Sequence, residues 1–469
     1  MDSALQSGIG YLCLSGRRTM TNALKFAATS GIETDPYFAN VSLLLHGDGT
    51  NGAQNNTFID SSSNNHSITR NGKATQGSFS PFPPSGIPWS PASNGGSAYF
   101  DGNGDDHLTP PASVGSTSGS WTCEFFVYPK SNAGGFFGDT LTGSSFGCSM
   151  ASGTIYFDGV YPNATGFNIT CSGAVSTNTW SHIAVVWDQS SWKVFLNGSQ
   201  VGSGTPTYPV INGGAFYVGR GKSRYLNGYI SSFRVVNSAV YTSNFTAPTA
   251  PLTAISNTQL LLSCTNAGIY DSSYGNDVIT VGNAQISTTS PKFGTGAIAF
   301  DGTGDSLIIP HASNQAFGSG DFTVECFYNP NSVSSVAGTL FAKRTSGVLG
   351  AFVVYQSNAN LLTYISSNNS AWDICSGVSA GTLTAGSWNH VAFVRYGTSF
   401  KLYVNGTGTS LATSSSSVAS VTNAFSIGAE ENGTTNPIPA GKIDEFRITK
   451  GVARYTANFT PPAKAFPNQ

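Results

Sequence analysis

Charge is what this sequence has least of. Asp, Glu, Lys and Arg together make up 9% of 469 residues, and the formal net charge is −2. A chain so poor in basic residues holds neither nucleic acid nor an anionic membrane surface by electrostatics. Scarce charge does not mean disorder here, because apolar residues reach 39% and aromatics 12%, enough buried surface to offset the entropy of ordering. The polar surface must then be Ser, Thr, Asn and Gln. Long apolar runs are missing as well: no stretch reaches the ~18 residues of a spanning helix. The opening Met1-Asp2-Ser3 lacks the basic and apolar segments of a signal peptide, so no secretion route is expected. Cysteine occurs seven times but never as a C-x-x-C pair, which excludes the common zinc and redox spacings. Cys123 and Cys326 fall out of register between the two halves described next, so they are expected on opposite sheet faces. Free, buried thiols of a chain assembled in a reducing cytosol are the expectation.

What is present is present twice. Ser97-Ala-Tyr-Phe-Asp-Gly-Asn-Gly-Asp105 returns as Ala297-Ile-Ala-Phe-Asp-Gly-Thr-Gly-Asp305. Trp121-Thr-Cys-Glu-Phe-Phe-Val-Tyr-Pro129 returns as Phe322-Thr-Val-Glu-Cys-Phe-Tyr-Asn-Pro330. Trp180-Ser-His182 returns as Trp388-Asn-His390. Phe233-Arg234, Tyr241 and Asn244-Phe-Thr246 return as Phe446-Arg447, Tyr455 and Asn458-Phe-Thr460. The order is kept while the offset drifts from about 200 to about 214 residues, too long for a solenoid repeat and right for a whole domain. Residues 1–39 have no counterpart. The stretch Thr19–Thr29 carries apolar positions at helical spacing (Met20, Ala23, Leu24, Ala27); it is either a chance pattern in a leader or an arm that docks on a neighbouring subunit. The units are expected at 40–251 and 252–469, opening on Val41–Leu45 and Thr258–Leu262 and joined by the stiff Ala247-Pro-Thr-Ala-Pro251.

Within each unit the signals are strands. Ile183–Trp187, Lys193–Leu196, Val391–Val394 and Lys401–Val404 are short β-branched or aromatic runs. Asn197-Gly198 and Asn405-Gly406 carry the chemistry of a type I′ turn, whose two central residues need positive φ. Short strands every ~8–12 residues with no helical period between them predict an all-β sandwich or jelly roll.

The set of motifs resembles the laminin-G-like branch of the concanavalin A-like lectin/glucanase superfamily. Its hallmarks are Phe-Asp-Gly-x-Gly-Asp, an aromatic-Thr-x-Glu strand, Trp-x-His followed by Asn-Gly, and Gly441-Lys-Ile-Asp-Glu-Phe-Arg-Ile448. The resemblance implies two tandem concanavalin A-like jelly-roll β-sandwiches behind a short N-terminal arm. A narrower likeness lies in Leu43-Leu-Leu-His-Gly-Asp-Gly-Thr50 followed by Phe58-Ile-Asp-Ser-Ser62, which looks like the opening of such domains in structural proteins of tailed bacteriophages. It implies a non-enzymatic virion protein: a head decoration, tail fibre or other surface appendage, made in the host cytoplasm and displayed on the virion surface. The expected partners are other virion proteins through the arm, further copies of the chain in a homo-oligomer, and a host-surface carbohydrate. Many copies turn weak sites into avidity. A secreted or cell-surface glycan-binding adhesin is the alternative, and a glycan hydrolase of the same fold the third reading.

Hydrolysis needs two carboxyl groups ~5–10 Å apart, and glucanases of this fold set them as Glu-x-Asp on one strand. Within the two units no Glu is followed by Asp two residues on, and the single Glu33-Thr-Asp35 stands before the first of them, so no catalytic residue is assigned. Glu124 and Glu325 alternate with apolar neighbours; each either accepts hydrogen bonds across its sheet or touches a ligand. His182 and His390 are read as structural. Asp101, Asp105 and Asp106, with Asp301 and Asp305, sit on Gly-rich turns that either bond their own backbone or hold calcium, which takes 6–8 oxygens; Asp444 and Glu445 are candidate extra ligands in the second unit. Sugar stacking needs exposed aromatic faces. The candidates are Trp187, Trp192 and Trp372 with Tyr156, Tyr161 and Tyr225, and also Trp89. Trp121, Trp180 and Trp388 belong to the shared framework.

Overall fold

The computed structural model describes residues 34–468 apart from 83–89, 116–118, 140–144, 162–163, 206–214, 222–223, 274–275, 312–314, 345–348 and 431–434. The Thr19–Thr29 stretch, Cys13 and Trp89 lie outside the described residues. Among the described residues each unit is a sandwich of an eight-stranded and a seven-stranded antiparallel sheet. The alternation is read directly off the central strand. In Trp121–Pro129, Trp121, Cys123, Phe125 and Val127 enter the core of the first unit, while Thr122, Glu124 and Phe126 take the opposite face. Phe322–Pro330 repeats this, with Phe322, Val324, Cys326 and Tyr328 inward. Cys123 and Cys326 therefore share the inward face, contrary to expectation. They stand one residue before and one after the matched glutamates, two positions apart, which preserves the face. All six described cysteines are free and buried.

The Asn-Gly turns form as their chemistry requires, with φ of 50° and 83° at Asn197 and Gly198, and 51° and 80° at Asn405 and Gly406. The two glycines have a second role. A Cβ on Gly198 would lie 2.0 Å from the carbonyl oxygen of Phe245, and one on Gly406 would lie 1.8 Å from that of Phe459. Each turn lies beneath the tail of its own unit, whose phenylalanine N–H donates back to the glycine carbonyl at 2.9 and 3.0 Å.

The opening strands are exchanged. Val41–Leu45 pairs with Gly441–Lys450, the long central strand of the second unit. Thr258–Leu262 pairs with Asn227–Val236 of the first. Leu43 and Leu45 are buried in the second core, and Leu260 and Leu262 in the first. The chain then returns to its own unit: Phe58 lies in the first core and Ile269 in the second. The expected division at 251/252 thus needs correction at the level of the sheets, since each sandwich borrows its opening strand from the other half of the sequence. The physical reason is that Leu43-Leu-Leu45 and Leu260-Leu-Leu262 present the same apolar surface to equivalent slots. Two carboxylates clasp the borrowed strands. Asp60 Oδ1 accepts from the Leu261 N–H at 2.9 Å, and Asp271 Oδ1 from the Leu44 N–H at 2.9 Å. Asn55 closes the crossing, donating to the carbonyls of Ile269 and Val278 at 2.5 and 2.6 Å and accepting from the Ile269 N–H at 2.8 Å.

Candidate functional site

The residues that repeat most faithfully converge on one glutamate per unit. Glu124 accepts from Arg234 Nε and Nη2 at 3.0 and 2.5 Å and from the Tyr241 hydroxyl at 2.8 Å, with His182 Nε2 at 3.2 Å. Glu325 accepts from Arg447 at 3.0 and 2.8 Å and from Tyr455 at 2.7 Å, with His390 at 3.2 Å. Both glutamates are 0% exposed, enclosed where the tail of each unit folds back over its eight-stranded sheet. Burial opposes the charge of Glu325, but Arg447, His390 and Arg454 outweigh it and hold the carboxyl down at about 2. Burial is likewise outweighed at Glu124 by His182 and Arg234, so its pKa is lowered. These are ion-paired structural groups out of reach of any substrate. In the second unit Asp35 joins the network, bonding Arg447 at 3.1 Å and Arg454 at 2.6 and 3.1 Å. This anchors the base of the N-terminal segment on that unit.

The acidic turns are wired alike. Asp106 Oδ1 accepts from the Lys73 N–H and Oδ2 from the Asp101 N–H at 3.0 Å; Asp305 accepts from Asn283 at 2.5 Å and Asp301 at 2.6 Å. The counterpart of Asp305 is therefore Asp106, because the first turn holds one more residue. Asp101 and Asp301 bond the backbone of Asn103 and Thr303 at 2.8 and 2.7 Å, the self-bonding turn of the sequence reading. Among the described residues only Asp101, Asp105 and Asp106 gather three carboxylates. Asp444 and Glu445 are committed elsewhere. Asp444 accepts from the N–H groups of Lys292 and Phe293 at 2.9 and 3.1 Å, and burial raises its pKa to about 7. Glu445 takes His46 Nδ1 at 2.9 Å and the Phe466 N–H at 2.7 Å.

The aromatic candidates divide. Trp187 and Trp192 are core residues, 5% and 0% exposed and packed on each other at 5.3 Å. The reason is register: they face one another across the hairpin, with Trp187 in step with the inward Ile183 and Val185. Tyr156 lies partly exposed on the seven-stranded sheet, between the inward Ile155 and Phe157. Tyr225 is partly exposed and flanks Arg220, whose guanidinium sits 5.0 Å from its ring and 4.8 Å from that of Tyr217. The side chain of Tyr161 lies outside the described residues.

Trp372 builds a site. It follows the strand Asn360–Ile365 on a loop that bonds itself. Asn368 Oδ1 accepts from Ser370 N and Oγ at 2.8 and 2.7 Å, and Asp373 accepts from the N–H of Ser367 at 2.8 Å and from its hydroxyl. The indole is partly exposed, 5.6 Å from the ring of Tyr364 and 5.6 Å from the Arg344 guanidinium. With Tyr355, Glu430 and Asn436 these residues line a cavity of about 280 Å³ on the seven-stranded sheet of the second unit. Arg344 Nη1 lies 3.6 Å from Glu430 Oε1, and Asn436 Nδ2 donates to that oxygen at 2.8 Å. Sequence reasoning found Trp372 but not its companions. Tyr355 and Tyr364 were legible as outward positions of alternating strands; Glu430 stands 58 residues beyond Trp372 and meets it only through the fold.

A family model for the concanavalin A-like lectin/glucanases superfamily, of laminin-G type, matches residues 101–243 and 301–454. Similar solved structures include mouse laminin alpha1 domains LG4-5, at 11% identity over 79% of this chain and 95% of that one with a TM-score of 0.30. Domain 4 of an extracellular arabinanase from Geobacillus stearothermophilus, in complex with arabinotriose, matches at 19% identity over 40% of this chain and 95% of that one, TM-score 0.31. A putative carbohydrate binding protein from Bacteroides ovatus matches at 17% identity over 31% and 45%, TM-score 0.26. A search of curated proteins finds no match.

Proposed function

Because the chain belongs to the concanavalin A-like lectin/glucanases superfamily, we propose that it is a non-catalytic carbohydrate-binding structural protein, carried on the surface of a tailed-phage virion as a head decoration, tail fibre or other appendage. The observation that carries the binding reading is the Trp372 pocket. A flat indole on a self-bonded loop stands beside two tyrosines and a polar Arg–Glu–Asn group, which combines ring stacking with hydroxyl recognition. The paired charges of Arg344 and Glu430 suit a neutral sugar. The non-catalytic reading is supported by the full enclosure of Glu124 and Glu325. The virion setting is supported by the likeness of Leu43–Thr50 and Phe58–Ser62 to openings of phage appendage domains. On this reading assembly with other virion proteins and with further copies runs through residues 1–39, held at its base by Asp35.

A glycan array, followed by calorimetry on the best neutral hit, tests the site. Trp372→Ala is expected to weaken binding by about fivefold or more, since stacking on an aromatic face contributes on the order of 1 kcal/mol or more. Glu430 is the one carboxylate among the described residues of the pocket lining, so chelation of calcium is expected to leave the affinity unchanged. An array with no hits, or hits indifferent to Trp372→Ala, overturns the proposal.

A further inference from the structure

The two units meet along a seam that has its own cavity. Thr69–Asn71 is the edge strand of the seven-stranded sheet in the first unit, and Ile279–Val281 is its counterpart in the second. Both line a space of about 530 Å³, within the ~300–1,000 Å³ of small-molecule sites, which favour domain interfaces.

The walls differ in kind. The first unit supplies Arg70, Lys73 and Tyr99. Arg70 is anchored by Nε on the carbonyl of Ala74 at 2.5 Å, and Lys73 is exposed. Neither cation takes part in an ion pair among the described residues. Asp101 also reaches the cavity: its oxygens engage the backbone and side chain of Asn103 at 2.8 and 3.0 Å but keep their charge, and Asp106 acts on Arg70 from the same turn, so Lys73 is the cation least offset. The second unit supplies Ile279, Val281 and Ile308, apolar yet only partly buried. His311 borders them 3.3 Å from Lys343 Nζ. Burial, with the charges of Lys343 and Lys130, lowers its pKa, so it is neutral near pH 7 in a positive field.

We propose that this seam cavity binds a small carboxylate-bearing molecule with an apolar face, its carboxylate on Arg70 and Lys73 and its ring or hydrocarbon face against Ile279, Val281 and Ile308. The planar guanidinium fork matches a carboxylate, and the aliphatic wall gains by losing water. A molecule held at one end by each unit ties the two together. The site is separate from the Trp372 pocket, and nothing in it depends on that pocket.

Calorimetry of the full chain at low salt with glucuronate, benzoate and glucose tests it. At least one carboxylate is expected to bind and raise the melting temperature, and glucose to do neither. Glucuronate alone names an acidic saccharide as the source; benzoate alone names an aromatic acid. Lys73→Gln, at an exposed position, and Ile308→Asp, which sets a like charge in the apolar wall, should each weaken binding, the second by about tenfold or more. Trp372→Ala should leave it unchanged, which separates this site from the neutral-glycan pocket. Silence from both carboxylates at ~10 mM, at which even a ~1 mM site is well occupied, overturns the proposal. Equal binding of glucose, or binding indifferent to both variants, overturns it as well.

Discussion

Glu325 shows what a buried charge costs and what the repeat is for. An enclosed carboxylate is tolerated only when its hydrogen bonds and opposite charges are complete, and here Arg447, Tyr455 and His390 complete it. Glu325→Gln removes the charge and leaves Arg447 and Arg454 facing a neutral amide; a loss of about 3–5 kcal/mol is expected by denaturant unfolding. Tyr455→Phe should cost about 1–2 kcal/mol. The folded carboxyl titrates at about 2 against an ordinary 4.5, so as pH falls the unfolded chain takes up the proton first. The contribution is therefore whole above pH 4.5 and fades between 4.5 and 2, and Glu325→Gln should flatten that part of the stability profile. An unchanged acid limb would refute this assignment. At this scale the sequence displayed the participants as matched pairs, but their convergence depends on a tail folding back. Trp187 and Trp192, named as stacking candidates, are core for a reason the strand pattern already held: Trp187 keeps parity with Ile183 and Val185, and Trp192 faces it across the hairpin. The second unit fills the same place with Arg395 over Phe400, 4.8 Å from its ring.

Among the elements, the opening strands separate what a pattern can say from what it cannot. Apolar runs at Leu43–Leu45 and Leu260–Leu262 predicted strands, and strands formed. Which partner each would choose was not legible, since the two runs are interchangeable in size and polarity. The choice is made by crossings at Asn55 and by the clasps of Asp60 and Asp271, whose roles rest on contacts more than 200 positions away. Asp271 accepts the N–H groups of Leu44, Ser273 and Asn276, each at 2.9 Å. Asp271→Ala leaves these donors without their acceptor and should cost about 3 kcal/mol, given ~1.5–3 kcal/mol per bond to a charged group. The loss should be local in origin. Amide exchange at Leu44, a residue early in the sequence, should accelerate together with its partner strand Gly441–Lys450, while Trp121–Pro129 keeps its protection. Faster exchange in Trp121–Pro129 instead would mean that the clasp acts on the wrong sandwich.

For the whole molecule, the exchange changes what a domain boundary means. The repeat and the proline-rich join describe two halves of a sequence, and the family match follows those halves. The sheets do not. Each sandwich completes its eight-stranded sheet with a strand from the other half, burying two leucines in the partner core at ~1.5–3 kcal/mol each. The four leucines alone contribute more than a small interface, and separating the halves opens both cores at once. A protease site placed in Ala247–Pro251 should therefore cut without releasing anything. The nicked protein is expected to elute as one species, to melt in one cooperative transition, and to fall into two pieces only under denaturant. Two independent sandwiches joined by a linker would instead separate on the column after cleavage. That outcome would place each opening strand back in its own unit and remove the seam on which the proposed carboxylate site depends.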